Sequence, residues 1–171
     1  MKRSLAILGS ARSDGNTAGA LARLVHDLPC DVVDLAALEL APFSYVRDYR
    51  DDDPFLPLVE RIVEAPLTIL ATPVYWYSYS TSMKTFVDRF TDLLFWHKPL
   101  GRRLRGCAFA LLSTGSGPEP AALLNETFDS FCGYLGIRNL GTIYAAENGP
   151  FHPDSPVERI RAYIRQNAGA S

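Results

Sequence analysis

The sequence predicts an α/β protein in which a five-stranded parallel sheet carries helices on both faces. Two observations lead there. Five short apolar runs, each continuous rather than alternating with polar residues, are separated by stretches of helical period. Continuous apolar strands belong to a sheet buried on both sides, and helices between parallel strands make right-handed crossovers. Composition agrees with a packed core: 171 residues, 47% hydrophobic and 21% charged, are enough for one domain, and a single domain over residues 1–171 is expected.

Leu5 to Leu8 is the first strand, and Thr17 to Leu28 follows as an amphipathic helix with Leu21, Leu24, Val25 and Leu28 at three- and four-residue steps. Cys30 to Leu35 reads as the second strand. After a polar, proline-flanked linker from Arg47 to Pro54, Phe55 to Ala65 spaces Leu58, Ile62 and Val63 as a helix. Leu67 to Ala71 is the third strand, and Thr81 to Phe95 a long helix on the spacing of Met83, Phe86, Val87, Phe90, Leu93 and Leu94. Cys107 to Leu112 is the fourth strand, Ala121 to Leu135 a helix, Leu140 to Ala145 the fifth strand and Val157 to Gln166 a closing helix. There is no internal repeat and no low-complexity segment.

The net charge of -2 offers no long-range attraction for nucleic acid or an anionic membrane, so an anion has to be caught by a local site. The apolar stretch before Gly9 is too short for a signal-peptide core or a membrane span, and a cytoplasmic protein is expected. Cys30, Cys107 and Cys132 stand singly, which argues against a zinc site, an iron–sulfur site or a disulfide framework; buried thiols are expected.

Ligands of open α/β sheets sit beyond the carboxyl ends of the strands, where strand order reverses. With strands ordered 2-1-3-4-5, the loops Gly9 to Thr17, Thr72 to Ser82 and Ser113 to Pro118 face one crevice. The first combines glycines, the hydroxyls of Ser10, Ser13 and Thr17, the fork-shaped cation Arg12, and Asn16 and Thr17 where a helix begins. Free N–H groups and the positive end of that helix favour a phosphate. It has neither Walker A nor GxGxxG spacing, and taken alone it also fits an ordinary strand-to-helix turn capped by Asn16. The second loop, TPVYWYSYSTSMK, places Tyr75, Trp76, Tyr77 and Tyr79 where a solvated turn is normally polar. Flat apolar walls beside a phosphate grip point to flavin mononucleotide (FMN), although core or subunit-contact roles for these rings stay open.

GSARSDGNT and TPVYWYSYSTSMKTFVDR then resemble the GSxRxxGNT and TPxYWYSxSxxxKxFxDR motifs of the flavodoxin-like NAD(P)H-dependent FMN reductase and quinone reductase family. The order of elements fits that family over nearly the whole chain. The resemblance implies a three-layer flavodoxin-like sandwich that binds FMN and forms a homodimer with the flavin near the interface. It implies that Ser10, Arg12, Asn16 and Thr17 hold the phosphate, that Pro73, Val74, Tyr75 and Trp76 border the isoalloxazine, and that Thr114, Gly115 and Gly117 form a third flavin loop. The implied activity passes hydride from NAD(P)H to FMN and then to a small acceptor such as free flavin, a quinone, or an azo or nitro compound. The chemistry belongs to the flavin, so no protein acid or base is required, and backbone N–H groups of Pro73 to Trp76 are expected at the flavin edge. Two departures from the motif are Thr81, which would narrow the cleft, and Thr85.

Other residues read as structural. Asp88 and Arg89 suit an ion pair, Lys84 a solvated or interface charge, and His26, His97 and His152 scattered surface positions. The basic turn GRRLRG, Gly101 to Gly106, fits a solvated turn or a site for the 2′-phosphate of NADPH. Two rivals stay in play: a one-electron carrier of flavodoxin type, which the small net charge disfavours, and a nucleotide-binding domain without redox activity.

Overall fold

A computed structural model describes residues 2–169. Five parallel strands, β1 (Ser4–Leu8), β2 (Cys30–Asp34), β3 (Thr68–Pro73), β4 (Ala108–Gly115) and β5 (Arg138–Ala146), form one sheet in the order β2-β1-β3-β4-β5. Leu5 pairs with Thr68, and Thr68 with Phe109. The period-2 alternation of strand side chains splits the core in two. Leu5, Ile7, Leu70, Phe109 and Leu111 face α2 (Phe55–Glu64), α3 (Thr81–Asp88) and α6 (Ala122–Leu135). Ala6, Leu8, Ile69, Ala110 and Leu112 face α1 (Asn16–Val25) and α7 (Val157–Asn167). The result is the three-layer, flavodoxin-like sandwich.

Strands three to five outrun the apolar runs that signal them. Thr72, Ser113 and Thr114 are polar, yet all three are buried and paired in the ladder. A bulge interrupts β4–β5 pairing between Phe109 and Leu111, where Gly141 on β5 takes a φ of +113°, a conformation that a side chain resists. The first helix stops earlier than expected, ahead of Asp27 at φ +58°, and Leu35 leaves the second strand for a short 3-10 turn capped by Asp34.

The expected single helix from Thr81 to Phe95 is instead α3, then α4 (Thr91–Phe95), with α5 (Lys98–Arg103) following where a loop was expected. No glycine or proline lies at the break. The backbone tightens to three-residue hydrogen bonds from Phe90 to Val87, Asp92 to Arg89 and Leu93 to Phe90. This turn places Arg89, wholly buried, between two carboxylates: Asp92 at 2.9 Å and Asp53 of the linker, which it grips with two hydrogen bonds of 2.9 Å. Its guanidinium also lies 3.7 Å from the centre of the Tyr49 ring. The linker before α2 is thereby fastened to the α3–α4 break. Asp88 pairs instead with Lys84, at 2.6 Å on the exposed side of α3.

Cys30 and Cys132 are buried and Cys107 is half-buried; none is in a disulfide. Burial pushes the thiols of Cys30 and Cys132 up to about 12, so both stay protonated at neutral pH. No described helix is long and apolar enough to cross a membrane.

Candidate active site

The carboxyl ends of β1, β3 and β4 open onto a cleft of about 310 Å³, lined by Ser10, Arg12, Gly15, Asn16, Thr17, Pro73, Val74, Tyr75, Thr114, Gly115, Ser116 and Glu147. A second cavity of about 640 Å³ adjoins it, sharing Val74, Gly115 and Ser116 and adding Trp76, Tyr77, Gly117, Glu119, Leu123 and Tyr144 among its walls. Every expected site residue therefore lines one of the two: Trp76 and Gly117 border only the larger, the rest the smaller. Ser116, Glu119, Glu147 and Tyr144 were not anticipated. Ser116 lies inside a loop already singled out, and Glu147 follows the fifth strand's carboxyl end, where the same placement rule points.

The first loop has the features of an anion grip. Gly15 caps α1 without a side-chain hydrogen bond, no acidic residue lies in the first turn, and the N–H groups there are left to a ligand. Arg12 folds back over this helix start: a Cβ on Gly15 would lie 3.5 Å from its guanidinium. Among the described residues the guanidinium has no hydrogen bond or ion pair of its own. Thr17 is buried, and its hydroxyl meets that of Thr114 at 2.6 Å, joining the first loop to the end of β4. Ser10, also buried, accepts from the Arg12 backbone N–H.

The second loop is a tight hairpin. Tyr75 and Ser78 exchange two backbone hydrogen bonds of 3.0 Å across Trp76 and Tyr77, whose φ angles are +50° and +63°. Positive φ at both central positions is a type I′ turn, which normally takes Asn-Gly; two aromatic residues are strained there. At the tip of this turn Trp76 is 94% exposed and Tyr77 66% exposed. Tyr79 does not belong to this wall. It is 5% exposed, packs in the core beside Met83, and its hydroxyl has no partner. Of the backbone N–H groups expected at a flavin edge, Pro73 has none, Val74 donates to Thr114 O at 2.7 Å and Tyr75 to Ser78 O, so only that of Trp76 remains available.

The third loop is held by Tyr144, which donates from its hydroxyl to Gly117 O at 2.5 Å. A Cβ on Gly115 would come within 2.9 Å of that hydroxyl oxygen, so any side chain there would have to displace the Tyr144 hydroxyl. The first and second loops are also joined: Ser80 caps α3 at Met83 N and donates to Gly9 O at 2.6 Å.

Several expectations are corrected by position. Thr81 is exposed on α3 and lines neither cavity, so it does not narrow the cleft. The basic turn at Gly101 to Gly106 precedes β4 and lies at the amino end of the sheet, about 25 Å from the cleft along an eight-residue strand. It cannot meet a phosphate of a dinucleotide whose ring sits in the cleft. His26 is exposed beside Asp27, while His152 is mostly covered, 3.4 Å from Glu119. No group of three His, Cys, Asp or Glu side chains among the described residues could hold a metal ion.

Residues 3–150 match the family described as NADPH-dependent FMN reductase. The chain belongs to this family. Over 93 residues it is 29% identical to the Bacillus subtilis protein YwqN, whose name describes an NAD(P)H-dependent FMN-containing oxidoreductase; the match spans 52% of this chain and 51%, about half, of that relative. Among solved structures, the Trp repressor binding protein from Bacillus subtilis superposes with a TM-score of 0.68 at 23% identity, covering 95% of this chain and 99% of the other. An NADPH-quinone reductase from P. pentosaceus superposes with a TM-score of 0.61 at 15% identity, covering 99% of each. At such identities these two likenesses show a shared flavodoxin-like fold alone.

Proposed function

We propose that the chain is a single FMN-binding domain and acts as an NAD(P)H-dependent oxidoreductase that passes hydride to FMN and on to a small acceptor. The observation that carries this reading is the uncapped start of α1, with an unpaired Arg12 folded over it, opening into an adjoining aromatic-rimmed cavity. An anion grip at the α1 end of the cleft, with Pro73 to Tyr75 and Thr114 to Gly115 bordering the rest of it, matches a phosphate-tailed planar cofactor, and the larger cavity beside it leaves room for a second planar ligand. Bound FMN would supply a two-electron store, refilled by a reduced nicotinamide and emptied into an acceptor that takes up two electrons and two protons.

The chain's own residues bind, orient and shield. Arg12, Ser10, Asn16 and the first-turn N–H groups of α1 receive the phosphate, with Thr17 locked to Thr114 beneath it. Pro73, Val74, Tyr75, Thr114 and Gly115 border the ring. Trp76 offers the one open N–H of the Pro73 to Trp76 stretch to the ring edge, and no side chain is asked to act as acid or base. Nicotinamide and acceptor then take turns in the larger cavity, which touches the cleft at Val74, Gly115 and Ser116. The family's reductase chemistry and this open second cavity favour an enzyme over a one-electron carrier. Exposed Trp76, Tyr77 and Phe95 support a homodimer, and the unpaired cysteines suit the cytoplasm.

The test is anaerobic stopped-flow absorbance of FMN-loaded protein mixed with NADH or NADPH. Direct bleaching to the two-electron reduced form, followed by turnover with a quinone or free flavin, is expected. Failure of both nicotinamides, with a long-lived semiquinone under dithionite, would replace the reductase by the carrier.

A further inference from the structure

The larger cavity has a distinct charge character. Its walls are apolar or uncharged, from Val74, Trp76 and Tyr77 to Pro120, Leu123 and Tyr144, with one ionic side chain, Glu119. The cleft beside it contributes a second carboxylate, Glu147, and a single cation, Arg12, which the phosphate of the cofactor would neutralise. No lysine or arginine lines the larger cavity. Both carboxylates act on the same wall: burial first, then the charges of Glu119 and Glu147, push the Tyr144 phenol above its ordinary value. Glu119 is held at this rim by His152, 3.4 Å away, and Glu147 by its backbone N–H, which donates to Gly115 O at 2.8 Å.

Resting on the reductase reading, we propose that Glu119 and Glu147 make this cavity select planar aromatic acceptors that are neutral or cationic and reject anionic ones. A negative rim in a partly enclosed space raises the cost of bringing in a sulfonate or carboxylate, and leaves a neutral ring to bind by apolar contact with the aromatic walls. Glu119 is the specificity-determining residue that can be changed most cleanly, since its side chain is exposed and outside the core.

The experiment is isothermal titration calorimetry on oxidised, FMN-loaded protein at low ionic strength, with 1,4-naphthoquinone and its 2-sulfonate as probes. The unsubstituted protein should bind the sulfonate at least about fivefold more weakly than the neutral quinone, an effect that 0.5 M salt reduces. Glu119→Gln should shrink that ratio and Glu119→Lys should abolish or reverse it, in each case through the sulfonate and with less than about a twofold change for the neutral quinone. A ratio that is the same in all three proteins, or a neutral-quinone affinity that falls as far as the sulfonate's, would overturn the proposal. An absorbance titration with FMN tests the underlying reading separately; if FMN does not bind, the same calorimetry on the FMN-free protein still decides the charge preference of the cavity.

Discussion

Trp76 and Tyr77 occupy backbone conformations that aromatic residues rarely adopt, at the tip of a hairpin beside the candidate site. Left-handed residues other than glycine cost about 1–2 kcal/mol each. Replacing the pair by Asn-Gly should therefore stabilise the fold by up to about 2–4 kcal/mol, read from the midpoint of denaturant unfolding, while weakening binding in the larger cavity. A variant no more stable than the unsubstituted protein would show that the turn is unstrained. At the anion grip, Arg12 acts through charge. A hydrogen bond to a charged group contributes about 1.5–3 kcal/mol, so Arg12→Ala should weaken FMN about tenfold or more and leave riboflavin nearly unchanged. Equal loss of both flavins in a fluorescence titration would remove Arg12 from the phosphate.

The break between α3 and α4 shows where element-level reasoning stops. Helical spacing continues unbroken from Met83 to Leu94, and nothing in it signals an interruption, because the cause is a tertiary ion cluster 36 residues apart in sequence: Arg89 with Asp53. Removing one partner of a buried ion pair costs about 3–5 kcal/mol, so Asp53→Ala should cost that much in unfolding free energy and free the linker to proteolysis. Burial pushes the Asp53 carboxyl up, but Arg89 and backbone N–H groups outweigh it and hold the group below its ordinary range. A depressed carboxyl stabilises the fold above its unfolded value of about 3.9 and loses that contribution as pH falls through the lower folded value. Acid unfolding below about pH 4 should therefore be flatter in Asp53→Asn, measured by circular dichroism. The strands were legible because a parallel sheet leaves continuous apolar runs. Their polar ends, Thr72, Ser113 and Thr114, were not, because ladder pairing rather than hydrophobicity extends them.

At the scale of the molecule, the strand order and the three site loops followed from sequence because both depend on short-range pattern and on a topological rule. The position of charge did not. GRRLRG and Glu119 lie 13 residues apart at the closest, Gly106 to Glu119, yet β4 sends one to each end of the sheet. Glu119 and Glu147 meet only through folding, around Tyr144. Assembly is a further whole-molecule property. Trp96 is partly occupied within the chain by stacking on Phe43, while Trp76, Tyr77 and Phe95 stay exposed. The homodimer should appear in light scattering at micromolar concentration. A clean monomer would refute it.

The hydroxyl pair of Thr17 and Thr114 bears on kinetics. It ties the first loop to the end of β4 beneath the space where a phosphate-tailed ligand would sit, and Ser80 ties the same loop to the second through Gly9 O. Loops fastened to one another in this way have no rearrangement to complete before they receive a ligand, so encounter rather than a conformational step should govern the rate. FMN association followed by fluorescence should then be single-exponential, with an observed rate that rises linearly with FMN concentration and shows no plateau.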